Sequence, residues 1–156
     1  MMKIQKFLGF ALVLMALDVA AIEKNGFELS EALIPEDEIR KGGPPRDGIA
    51  AIHNPEFLST KEASYLKDNE RVLGVVISGQ ARAYPIKVLN WHEVINDVVG
   101  DQHFVVTYCP LCGTGMVFAT SVSESPLVFG VSGLLYNSDV LLYDLQTEVF
   151  SVTTRY

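Results

Sequence analysis

The chain has 156 residues, 49% of them hydrophobic, with 12 basic against 19 acidic side chains and a formal net charge of −7. That length fits one domain plus a targeting segment, and the apolar content supports a packed core, which excludes a disordered chain. The acidic balance repels nucleic acid and anionic lipid, so the expected partner is a cation, a neutral small molecule or another protein.

Lys3 and Lys6 precede an apolar or small run over residues 7–17, Asp18 ends it, and Val19-Ala20-Ala21 offers the small residues a signal peptidase reads. This is the three-part layout of a secretory signal. The run is too short to cross a bilayer, which takes roughly 20 residues. Residues 1–21 are therefore expected to be removed on export to the periplasm or the extracellular space. The mature chain would carry no membrane segment and would be one charge more negative. Residues 22–46 read as an extended polar approach segment. It ends in Lys41-Gly42-Gly43-Pro44-Pro45-Arg46, which cannot continue a helix or a central strand.

Residues 47–156 make up the expected folded domain. Ser59 and Glu62 have the spacing of a capping box, which predicts a short helix over 60–67. Strands are predicted over 72–77 and 81–84 around the hairpin turn Ser78-Gly79, and Pro85 can open a single helical turn through Leu89. Two more, over 94–99 and 103–108, flank Gly100-Asp101-Gln102. Further strands follow over 116–119, 127–131, 140–143 and 148–152. Such even spacing, with Gly, Asn and Asp at the joints, predicts a mostly β chain of the β-rich α+β class. The expected form is an antiparallel sandwich or partial barrel with one or two short helices.

The chemistry-bearing feature is Cys109-Pro110-Leu111-Cys112 in the run YCPLCGTG. A bridge across so short a loop gains little stability, so a metal or a dithiol/disulfide couple fits the spacing better than a structural staple. Gly113, Gly115 and the β-branched residues beyond disfavour a helix after Cys112. The prediction is strand, knuckle, strand, with Gly113 reversing the chain and both sulfurs on one side. No second CxxC exists, so a metal would need a ligand from elsewhere. His92, in Asn90-Trp91-His92-Glu93, is the expected third ligand, with Glu93 orienting the imidazole or binding a second cation. A hairpin of 94–99 with 103–108 would bring position 92 to the level of Cys109. His103 reads as an ordinary strand residue, His53 as a turn neighbour and Trp91 as a core anchor. Asn137-Ser138-Asp139 reads as a turn, unless it folds back beside the cysteines.

The segments DGIAAIHNPEF, GQARAYPIKVLNWHEVINDVVG, VTYCPLCGTGMVF and GLLYNSDVLLYD resemble, in this order, the bacterial exported proteins of domain-of-unknown-function family 3179. The resemblance runs from about residue 39 to about residue 147, and NWHEVIND with TYCPLCGTG is its specific part. It implies that Asn90, His92, Glu93, Cys109, Cys112, Gly113 and Gly115 stand in the family's motif positions. His53 stands where the family more usually has an acid. Relatives continue past the YNSDVLLYD-like run with a tryptophan-containing strand, so the resemblance also implies a missing C-terminal part.

Three readings follow. A metal-binding protein would use Cys109, Cys112 and His92, with zinc or copper as the matching ion. A thiol–disulfide protein would use the cysteine pair alone, and a structural module would hold it as an inert bridge. Glu93, Asn90, Gly113, Gly115 and Asp139 are the supporting candidates. A cysteine nucleophile of the hydrolase kind is disfavoured by its neighbouring thiol. Haem is disfavoured because Gly113, not histidine, follows Cys112. No nucleotide site is expected, and whether the chain is an enzyme stays open.

Overall fold

The computed structural model describes residues 22–29, 32–121 and 125–152. The expected signal segment lies outside the described residues. Among them, no helix is long and apolar enough to cross a membrane. In chain order the elements are β1 (Glu23–Lys24), β2 (Phe27–Glu28), a 3-10 turn (Glu36–Glu38), β3 (Arg40–Lys41), β4 (Ile52–His53), β5 (Val72–Ile77) and β6 (Gln80–Pro85). There follow α1 (Ile86–His92), β7 (Val94–Val99), β8 (Gln102–Cys109), β9 (Thr114–Ala119), β10 (Phe129–Tyr136), β11 (Asp139–Asp144) and β12 (Phe150–Val152).

Two four-stranded sheets, ordered β12-β11-β10-β3 and β4-β7-β8-β9, face each other as a sandwich. Pairing is antiparallel apart from the short parallel contact of Ile52 with Ile95. Side-chain alternation explains the layering. Val94, Val105 and Cys109 point between the sheets and meet Phe129, Val131, Val140 and Leu142. Ile95, Val99, Phe104, Val106 and Tyr108 point the other way, against Tyr84 and Leu89 and the hairpin of β5 with β6. β7 and β8 are therefore covered on both faces, which is why their sequence is nearly continuous in apolar residues. The far face of the other sheet is closed by Phe27, Leu29 and Ile39 over Leu134, Leu141 and Tyr143.

β10 carries a bulge between Val131 and Leu134. Gly133 sits there at φ 70°, and a Cβ on it would come 2.2 Å from the Pro44 carbonyl oxygen, so only glycine fits. The residues around Pro44 cross the sheet at this point. Gly42 N–H donates to the Gly133 carbonyl at 2.8 Å, and Asp47 N–H donates to the Val131 carbonyl at 2.9 Å.

Four sequence expectations are corrected. Residues 60–67 are a run of turns, not a helix. The capping-box contacts do form, with Ser59 Oγ donating to Glu62 Oε2 at 2.6 Å and Ser59 N–H donating to it at 2.9 Å. Most side chains of the segment are exposed, so no buried face stabilises further turns. The helical turn after Pro85 runs on to His92. The strand expected over 127–131 starts at Phe129 and continues through the bulge to Tyr136. Trp91 is no core anchor: it is 79% exposed on the last turn of α1.

Candidate functional site

β8 ends at Cys109 and β9 starts at Thr114, and these two residues pair. The four residues between them form the expected knuckle. Gly113, at φ 69°, turns the chain back. Its N–H donates to the Cys109 carbonyl at 2.8 Å, and Cys112 N–H donates to the same carbonyl and to Cys109 Sγ, both at 3.2 Å. Both thiols are free. Cys109 is 1% exposed because its side chain continues the inward face of β8. Cys112 is half-buried, and Leu111 between them is 74% exposed.

Burial pushes the Cys109 thiol up to about 12, and the hydrogen-bonded Cys112 thiol adds to this. The Cys112 amide opposes the shift, while the charges of Cys112 and Asp139 reinforce it. Asp139 does fold back toward the cysteines. It follows the tight turn Asn137-Ser138, both at positive φ, and its Oδ1 accepts from Thr114 Oγ1 at 3.3 Å and from Val140 N–H at 2.8 Å.

The register of β7 with β8 pairs Val94 with Thr107. One step further, the Glu93 carbonyl accepts from Tyr108 N–H at 2.8 Å. Glu93 caps α1 at φ 57°, and its own N–H donates to the Leu89 carbonyl at 2.8 Å. Glu93 lines a cavity of about 20 Å³ together with Cys109, Leu111, Gly42, Pro44 and Val131. Burial holds the Glu93 carboxyl above the usual carboxylate range.

The structure thus gathers Cys109, Cys112, Glu93 and Asp139 at one end of the sandwich. It does not add His92 to them as a metal set: among the described residues, no group of three or more His, Cys, Asp or Glu is arranged to hold a metal ion. His92 Nδ1–H instead donates to the Ala50 carbonyl at 2.9 Å. Asn90 is exposed. Of the motif glycines, Gly113 serves conformation, and Gly115 serves packing, since a Cβ there would lie 2.6 Å from Leu73 Cδ1. His53 pairs through Nδ1 with Asn96 Nδ2 at 3.3 Å, and His103 shares a pocket with it at the opposite end of β8. Sequence reasoning missed the cavity walls Gly42 and Pro44, whose Gly-Gly-Pro-Pro run signals a loop but not what it covers. It also missed Thr107, on the inward face two residues before Cys109, whose buried hydroxyl has no hydrogen-bond partner among the described residues.

The family model described as Protein of unknown function (DUF3179) matches residues 46–153. Searches of curated proteins and of solved structures return no match.

Proposed function

This chain belongs to the DUF3179 family, and from that premise, which carries no activity, we propose that it is an exported thiol–disulfide exchange protein working through Cys109 and Cys112. The observation that supports this most directly is the asymmetry of the pair. The two thiols are hydrogen-bonded, one sealed between the sheets and the other half-exposed on the turn. Cys112 is then the attacking sulfur. As thiolate it attacks a partner disulfide, a bond forms between Cys112 and one partner sulfur, and the other leaves as thiolate. Cys109 next attacks the Cys112 sulfur, closing the bridge and releasing the second partner thiol. Two electrons pass from the pair to the partner disulfide. An oxidising compartment supplies such partners, which agrees with the signal-like N-terminus.

The test is a redox titration of the reduced chain in glutathione buffers, read by mass and by free-thiol count, with elemental analysis alongside. A reversible loss of two hydrogens per chain is expected. Cys112→Ser should abolish exchange, and Cys109→Ser should accumulate a mixed disulfide with the partner. Stoichiometric zinc or cuprous copper with both thiols protected would replace this reading with the metal one, in which His92 is the awaited third ligand. A bridge that no reductant opens would replace it with the structural one.

A further inference from the structure

We infer that the open edge of β6 borders a binding groove for an extended polypeptide of basic and apolar residues, which adds to the β5–β6 hairpin as a third strand. This does not rest on the exchange reading, and none of the groove's walls belongs to the cysteine turn. Its basis is the backbone. Ser78 and Gly79, both at positive φ, close the hairpin at the pair Ile77 and Gln80. Beyond the other end, Ile86 N–H donates to the Arg71 carbonyl at 3.0 Å. Bonded pairs alternate between these two ends, so Arg82 and Tyr84 bond to β5, whereas Ala81 and Ala83 turn their N–H and C=O groups away from it. Among the described residues, no backbone outside the hairpin supplies those groups with a partner.

A groove of about 640 Å³ lies along this edge. One wall is β6 itself, and another is the stretch Glu56-Phe57-Leu58, which makes no main-chain hydrogen bond among the described residues either. Side chains hold that stretch instead. The Arg82 guanidinium lies 4.5 Å over the Phe57 ring, and Phe57 meets the Tyr84 ring edge-on at 5.6 Å. Further along, Lys87 Nζ sits 4.7 Å over the Tyr65 ring and donates to the Tyr65 carbonyl at 3.0 Å. Two segments thus border one space with backbone donors and acceptors unspent on both, and an added strand is the shape that uses them. Ala81 and Ala83 are exposed and put only a methyl group beside such a strand. The charges that ordinarily blunt an edge are missing from β6, because Arg82 is committed to Asp97. Pro85, which has no N–H, marks where the added strand ends.

Charge selects the occupant. The charged side chains on the groove walls are Arg82 and Glu56. Buried Asp97 offsets Arg82, while exposed Glu56 has no ion-pair partner among the described residues. A lysine or arginine on the incoming strand answers Glu56, and the net charge of −7 draws such a strand in. A second copy of the chain would bring the same acid and the same net charge, which opposes self-pairing along this edge. The remaining walls, among them Ile52, Ile95, Val88 and the Phe57 and Tyr65 rings, take apolar side chains at alternate positions of the strand.

The experiment titrates the full chain with end-blocked hexapeptides that alternate lysine with valine, leucine or phenylalanine, and reads backbone amide exchange by NMR. At about ten times Kd the Ala81 and Ala83 amides should exchange about 10-fold more slowly, with those of Gly74 and Val76 on the outer edge of β5 unchanged. Ala83→Pro should weaken the peptide by about 10-fold, because it removes an edge N–H and leaves the hairpin's own bonds in place. Val76→Pro makes the same change on the far edge and should leave the affinity as it is. N-methylation of the peptide amides should abolish binding. Unaltered exchange at Ala81 and Ala83 with every peptide overturns the inference. So does binding that survives both N-methylation and Ala83→Pro, which would mark an apolar pocket for small molecules. Equal binding with glutamate in place of lysine overturns the choice of a basic partner, and slowing that grows with protein concentration alone replaces that partner with a second copy. Should Ala83→Pro not fold, by circular dichroism, amide protection and peptide methylation decide.

Discussion

Gly115 shows how much one missing methyl group holds in place. A Cβ there would lie 2.6 Å from Leu73 Cδ1, on the face where the hairpin of β5 and β6 packs on β9. Because Leu73 Cδ1 is the free end of a rotatable side chain, Gly115→Ala should cost about 1 kcal/mol, the low end of overpacking, read from urea denaturation. Leu73→Ala in the same chain should return part of that loss, whereas no side chain crowds Gly113, so Leu73→Ala should leave Gly113→Ala unrescued. At this scale the cysteine turn was legible in the sequence, because proline, glycine and the pair's spacing act within a few residues. Trp91 was not legible. Whether a helix face is covered depends on segments far away in the chain, and among the described residues none covers this one.

Strands were legible for a similar reason, since their alternation is visible within six or eight residues. Residues 60–67 misled because a capping box specifies how a helix begins but supplies no buried face to prolong it. The link between the two sheets was invisible as well. Asn96, on the inward face of β7, accepts from Phe129 N–H and donates to the Phe129 carbonyl, both at 2.8 Å. One amide side chain thus takes the place of a strand neighbour at the start of β10. Asn96→Ala should lower stability by about 2 kcal/mol, because both backbone groups of Phe129 lose their partner. Asn96→Asp should recover only the accepting half. A stability within error of wild type for Asn96→Ala would show that Phe129 needs no such clamp.

For the molecule as a whole, buried titratable groups set a pH window. Burial alone would push the Asp144 carboxyl up, but the Thr147 hydroxyl and the amides of Thr147, Val128 and Gln146 together hold it below the usual range. A depressed carboxyl contributes stability that is present above its unfolded value and is lost as pH falls through the folded one. Glu93 and Cys109 are raised by burial, so their contributions are present below their unfolded values and fade as pH rises through the folded ones. Urea midpoints should therefore trace a dome, with an acid limb owed partly to Asp144 and an alkaline limb owed partly to Cys109 as pH approaches about 12. Asp144→Asn should flatten the first limb, and Cys109→Ala the second. Unchanged limbs in both variants would move the pH dependence elsewhere.

The crossing at Gly133 bears on where this protein ends as a working unit. Gly42 and Pro44 wall the space beside Cys109, yet the family match begins only at residue 46. Likeness of sequence and shelter from solvent therefore draw different boundaries. A chain shortened to the matched stretch would keep both cysteines and the acid beside them, but its inner sulfur would stand open to peroxide. On the exchange reading proposed above, that thiol would then be free to climb to sulfinic acid, from which no neighbouring cysteine can bring it back.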